Sequence, residues 1–185
     1  PAYWVAYSGG VDSHVLLPLL AARRDQLAGP LGAVHVNHQI QQQSGDWASH
    51  CRATCEELGI AFHALRVEGR ARGGESPEAA ARAARYRGLA DWLPERAVLL
   101  TAQHLDDQAE TLLLQLFRGA GPRGLAAMAE KAPLGQGWLL RPFLAVRRSE
   151  ILDYARRPQL RWVEDPGNSD TRSARNLPRH RARAG

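Results

Sequence analysis

The feature that most constrains the fold is a regular alternation of short apolar runs with longer helical patterns. Runs at 4–7, 33–37, 61–67, 97–101 and, more weakly, 138–140 have strand length and are bounded by turn residues. Helical patterns fill the gaps at 11–26, 47–58, 77–92 and 105–117, each long enough to cross from one parallel strand to the next. Strands apolar on both faces need cover on both faces. The pattern therefore predicts an α/β fold, an open and mostly parallel Rossmann-like sheet with helices on both sides and ligands at the strands' carboxyl ends. Ser76-Pro77 marks a capped helix start, and Gly119-Ala120-Gly121-Pro122 a break after which the alternation weakens. From Pro142 onward the pattern predicts a short helix followed by an irregular charged segment.

With 185 residues and 44% hydrophobic content, the chain has the material for one main core. No apolar run approaches the roughly 20 residues needed to cross a bilayer, and there is no export signal, so a cytoplasmic location with no membrane partner is expected. Cys51 and Cys55 are the only cysteines, four residues apart on a predicted helix, and read as packing residues that stay reduced. The net charge of +5 suits a polyanionic partner. Basic residues are densest near the end, at Arg172, Arg175, Arg179, Arg181 and Arg183 with His180, where phosphate contact and a solvated arm are the two alternatives. The absence of an initial methionine and the basic ending suggest a piece of a longer protein.

Ser8-Gly9-Gly10-Val11-Asp12-Ser13 lies where a strand passes into a helix. Two glycines permit a tight turn that exposes amides, and with the Ser8 and Ser13 hydroxyls and the helix dipole they make an anion cradle. The G-x-x-x-x-G-K-[ST] spacing is absent and the loop has no lysine. Asp12 is repulsive beside phosphates unless a divalent cation lies between, which points to Mg²⁺ there. This hexad resembles the S-G-G-x-D-S loop of the N-type ATP pyrophosphatases, and the resemblance implies cleavage of ATP between its α and β phosphates.

A second motif, Thr101-Ala102-Gln103-His104-Leu105-Asp106-Asp107-Gln108-Ala109-Glu110-Thr111, follows the fourth strand and opens a helix. His104, Asp107, Gln108 and Thr111 form one polar stripe, and Leu105, Leu112, Leu113 and Leu116 are expected to supply the buried face. Residues 104–111, with the pattern H-x-D-D-Q-A-E-T, and Arg118-Gly119-Ala120-Gly121, Gly124-Leu125 and Met128, with the pattern R-G-[SA]-G-x-x-G-L-x-x-M, resemble the corresponding segments of the tRNA(Ile)-lysidine synthetase family. His35-Val36-Asn37-His38, Arg82, Arg85, Tyr86, Arg141-Pro142-Phe143, Trp162-Val163-Glu164-Asp165 and Arg175-Asn176 fall in the family's order. The departures are Gln103 in place of a second histidine, Gln39-Ile40 for Gly-Leu, Gly167 for serine, and Pro178 where the family continues into a helix.

The resemblance implies a ligase. The C2 oxygen of the wobble cytidine of tRNA(Ile) with a CAU anticodon is adenylated, and free L-lysine then displaces AMP. It assigns residues 8–13 to ATP, Asp12 to Mg²⁺, and Asp107 with Glu110 to the lysine ammonium. His104 positions the base or moves a proton, Arg82 and Arg85 act on the α-phosphate, and Arg175 and Arg179 contact tRNA. Residues 1–145 would form the PP-loop catalytic domain, and 146–185 a short helix and basic tail leading to a missing or truncated tRNA-binding region. A homodimer is left open. The competing readings are tRNA thiolation, which needs reactive thiols, amidation as in GMP or NAD synthetase, and an ATP-binding module without catalysis.

Overall fold

The computed structural model describes residues 1–37, 44–67, 76–121 and 126–156. Its strands are β1 (Tyr3–Ala6), β2 (Leu31–Asn37), β3 (Ala61–Arg66), β4 (Val98–Leu100), β5 (Lys131–Leu134) and β6 (Gly137–Leu140). The helices are α1 (Val11–Ala21), α2 (Ser44–Glu57), α3 (Pro77–Trp92), α4 (Leu105–Phe117) and α5 (Arg148–Arg156). They form a six-stranded sheet of order β3-β2-β1-β4-β6-β5. All pairings are parallel except that of β5 with β6.

The sheet is covered on both faces, as the doubly apolar strands require. Val5, Tyr7, Ala33, Val98 and Leu100 pack with Leu16 and Leu17 of α1 and with Cys51 and Cys55 of α2. The alternate strand residues Val34, Leu99 and Leu139 face Leu89 of α3 and Leu93. A third cluster joins α5 to α1 through Val11, Val15, Ile151 and Ala155. Ser76 caps α3 as its sequence predicts, its hydroxyl accepting from the Ala79 amide at 3.1 Å with Pro77 in the first turn.

Two expectations are corrected and one strand is added. The first helix ends at Ala21, and Arg24–Gln26 form a separate 3₁₀ turn. The chain must reverse there to enter β2, and Arg24 is fixed at the bend by donating to the Leu58 carbonyl at 3.1 Å. The edge strand β5 has no sequence signature because Pro133 interrupts it, a residue tolerated only at a sheet edge. The expected buried face of α4 is exposed: Leu105, Leu112, Leu113 and Leu116 are 36–51% accessible and Phe117 is 83%. Periodicity reports an apolar stripe, not what covers it.

Beneath the first strand-to-helix turn, the Tyr7 hydroxyl lies 2.6 Å from His14 Nδ1, and the His14 ring stacks on His50. Burial, and secondarily the proximity of His50, push the His14 pKa from 6.5 down to about 4. The ring is neutral near pH 7, so the tyrosine donates. The unfolded chain takes up a proton near pH 6.5 that the folded chain refuses until about pH 4, so stability must fall as pH drops through that window. Burial also lowers the His35 pKa, adding to the same trend. We expect His14 to contribute a loss of about 2 kcal/mol between pH 7 and pH 5. Urea unfolding at the two pH values should register it, and His14→Gln should flatten the dependence. A wild-type midpoint that does not move would refute the buried neutral ring.

Candidate functional site

The central position of β1, between β2 and β4, sets the location of the site. Strand order reverses direction there, which is the position where open α/β sheets bind ligands, beside the loops leaving the carboxyl ends of β1 and β4. Residues 8–13 leave β1 and residues 101–104 leave β4, so the two sequence motifs, nearly a hundred residues apart, meet at one edge of the sheet.

The first loop is folded around its own serines. The Ser13 hydroxyl donates to the Gly10 carbonyl at 3.0 Å and accepts the Ser8 amide at 3.2 Å. Ser8 Oγ lies 3.1 Å from Ser13 Oγ and accepts the Gly10 amide at 3.3 Å. Because the Ser13 proton is committed to Gly10, the Ser8 hydroxyl donates to Ser13. Ser13 is therefore an internal staple of the loop, while Ser8 is at the surface. Gly9 has φ +85°, and a Cβ placed on it would lie 3.1 Å from Cys51 Sγ. The residue thus has a left-handed backbone that favours glycine, and a Cβ there would crowd Cys51.

His104 joins the two loops. It is 1% exposed and caps α4: its Nδ1 accepts the Asp107 amide at 3.4 Å, and Asp107 Oδ2 accepts the His104 amide at 3.1 Å. An accepting Nδ1 leaves the neutral ring's proton on Nε2. That nitrogen lies 3.4 Å from Asp107 Oδ2 and 3.8 Å from Asp12 Oδ2. Asp12 thus faces the β4 loop across a buried imidazole. Asp107, which also accepts Thr111 Oγ1 on its carbonyl at 2.8 Å, sits at the base of α4 with Glu110 one turn further, both part-buried.

Arg82 and Arg85 lie on α3, part-buried, with the Arg82 guanidinium 5.1 Å from the centre of the Tyr86 ring. Tyr86 OH accepts Gln103 Nε2 at 2.9 Å, and Thr101 Oγ1 donates to Gln103 Oε1. Gln103, the family departure, thus ties α3 to the end of β4. His35 is buried, donates Nδ1–H to the Tyr7 carbonyl at 2.9 Å and stacks on Phe62. Burial holds its pKa below the usual value against the opposing effect of that bond, so His35 is a packing residue beneath the loop. Cys51 and Cys55 are fully buried, as expected, and burial pushes their thiols up to about 12 and about 11. His38, Arg175, Arg179 and the segments at 122–125 and 157–185 lie outside the described residues.

The partner of one residue and the presence of another at the site escape sequence reasoning. Gln108 uses its whole amide to hold the Met128 backbone, donating to the carbonyl at 2.7 Å and accepting the amide at 2.8 Å. Arg148 opens α5: its amide donates to Asp106 Oδ2 at 2.8 Å and its Nε lies 4.0 Å from Asp12 Oδ1. A cation in the first turn of a helix opposes the helix dipole, and that local misfit was the available signal. Among the described residues no group of three or more His, Cys, Asp or Glu is arranged to hold a metal ion, and no helix is long and apolar enough to cross a membrane.

A glycine-turned loop at a helix start, stapled by serines and faced by a carboxylate at a sheet switch point, defines an α/β binder of phosphate-bearing ligands. The model of the PP-loop domain matches residues 1–183, and the chain belongs to that family. It is 51% identical to the tRNA(Ile)-lysidine synthase of Methylococcus capsulatus over 97% of its length, and 54% identical to that of Pseudomonas aeruginosa over 93%. It covers 41% and 39% of those proteins, about two fifths of their length. The U34-tRNA thiolase NcsA from Methanococcus maripaludis, solved with its [4Fe-4S] cluster, shares the fold with a TM-score of 0.76 at 20% identity. That match covers 96% of this chain and 62% of the thiolase.

Gly9→Ala should strain the loop by about 1–2 kcal/mol through its positive φ, with the Cys51 contact in addition. We expect weaker ATP binding and a lower urea midpoint. Adding Cys51→Ala should recover only part of each, because it relieves the contact and not the backbone. Full recovery in the double variant would mean that φ carries no cost.

Proposed function

We propose that this chain is the catalytic PP-loop unit of a tRNA(Ile)-lysidine synthase, a ligase that uses ATP to join lysine to the wobble cytidine of tRNA(Ile) with a CAU anticodon. The observation that carries the reading is the convergence of Asp12 with His104 and Asp107. It joins a general phosphate loop to the motif resembling one family, at about half identity to proteins of that name.

In this reading the loop at residues 8–13 receives the phosphates of ATP. Mg²⁺, when bound, neutralises phosphate charge and orients the α-phosphate. The residues fit such an ion: Asp12 is a partly exposed carboxylate beside the loop, and Mg²⁺ on a nucleotide needs only one or two protein carboxylates. The cytidine C2 oxygen attacks the α-phosphorus, the α–β anhydride bond breaks and pyrophosphate leaves. The lysine side-chain ammonium gives one proton to the carboxylate pair that holds it, the resulting amine attacks C2, the C2–oxygen bond breaks to release AMP, and the new C–N nitrogen loses its second proton to solvent. Asp107 and Glu110 hold the lysine ammonium, and Arg82 and Arg85 face the charge that builds on the α-phosphate. His104 fixes Asp107 and Asp12 relative to one another with its Nε2 proton between them. Arg175 and Arg179 contact tRNA phosphates. Thiolation is less well served, because the cysteines in the described residues are buried and protonated near pH 7.

The test supplies Mg²⁺-ATP, radiolabelled lysine and a tRNA(Ile) transcript with a CAU anticodon, and counts label in acid-precipitated RNA. Label is expected to enter the RNA and to fall by about 100-fold or more in Asp12→Ala. Pyrophosphate release without lysine incorporation would replace this reading with another adenylating activity, and silence in both would leave a binding module.

A further inference from the structure

The phosphate loop has no lysine, yet a cation stands beside it. Arg148 reaches Asp12 from a residue 136 positions later in the chain, its Nε 4.0 Å from Asp12 Oδ1. Its placement is determined twice over. Its amide is held by Asp106 Oδ2 at 2.8 Å, and the preceding turn is fixed where Leu105 donates its amide to the Val146 carbonyl at 2.9 Å. α5 is seated on α1 through Ile151 and Ala155 against Val11 and Val15, so the helix carrying Arg148 and the helix carrying Asp12 pack directly together. The Arg148 side chain is 29% exposed, in reach of solvent at the mouth of the loop rather than sealed in the core.

We propose that Arg148 is a catalytic residue for the pyrophosphate half of the reaction: it rests on Asp12 and transfers its guanidinium to the β and γ phosphates when ATP occupies the loop. The inference rests on the ATP-cleaving reading above. When the α–β bond breaks, the electron pair stays with the bridging oxygen, and the departing pyrophosphate gains a negative charge. A planar, permanently charged guanidinium is suited to receive it with paired N–H donors. Asp12, released from Arg148, is then available to the cation that accompanies the nucleotide. The loop's lack of lysine and the misplaced cation at the start of α5 thus have one explanation.

Binding without tRNA tests the assignment. Calorimetry on the 185-residue chain with ATP, pyrophosphate and AMP, each with Mg²⁺, should show Arg148→Ala weakening ATP and pyrophosphate by about 10- to 100-fold while AMP stays within about twofold. Arg148→Lys, which keeps the charge and loses the fork, should fall between. ATP and pyrophosphate unchanged in Arg148→Ala, or AMP weakened as much as they are, would overturn the assignment. If Arg148→Ala does not fold, Arg148→Lys decides: wild-type pyrophosphate affinity overturns it, and a selective loss of pyrophosphate over AMP supports it. A wild-type chain that binds no ATP would overturn the nucleotide reading together with this one. A chain that binds ATP yet transfers no lysine would overturn only the ligase reading.

Discussion

The parallel pairing of β1 with β4, Tyr3 opposite Val98 and Val5 opposite Leu100, is the constraint on which the site depends. It places the carboxyl ends of two strands far apart in sequence side by side at the centre of the sheet. Everything polar that follows them must then be satisfied in a narrow space. His104 solves this locally by capping α4 with its ring while that ring faces Asp12 and Asp107. A serine cap would satisfy the same Asp107 amide, at about the same 1 kcal/mol, without spanning the gap to Asp12. The use of a large ring at a position normally filled by a small hydroxyl is best explained by what it does beyond capping.

The same economy runs beneath the loop. Tyr7, at the end of β1, receives His35 on its carbonyl and offers its hydroxyl to His14. Both imidazoles are buried and held neutral, so the polar layer under the phosphate loop adds no positive charge there near pH 7. Cys51 Sγ lies where a Cβ on Gly9 would meet it at 3.1 Å, so the loop approaches α2 closely at that glycine. The loop's shape is held by the hydroxyls of Ser8 and Ser13 within it.

The sheet, its two covered faces and the adjacency of the two motifs were legible in sequence, because strand period and helix period are properties of single segments and parallel topology places all carboxyl ends on one edge. What stayed hidden depends on partners distant in the chain. Pro133 disguises β5, whose existence rests on pairing with β6. The apolar stripe of α4 looked like a core face because sequence does not say what lies opposite. Gln108 and Arg148 are ordinary polar helix residues until Met128 and Asp12 are placed beside them. His104 was legible as a candidate site residue, but its cap on α4 was not, since histidine rarely takes that position.

The magnitudes decide why Arg148 sits where it does. A pair of partly exposed charges 4.0 Å apart contributes about 0–1 kcal/mol, less than the cost of ordering α5. Burying Ile151 to 2% exposure contributes roughly 1.5–3 kcal/mol, and the whole Val11, Val15, Ile151 and Ala155 cluster more. Hydrophobic packing therefore seats α5, and the ion pair is a consequence of that seating. A cation opposed to its own helix dipole and adding little to stability is not explained by folding. Its cost is modest because Asp12 lies 4.0 Å from its Nε and Asp106, in the first turn of α4, accepts its backbone amide. A charge positioned by the core but not needed by it is placed for a ligand's charge.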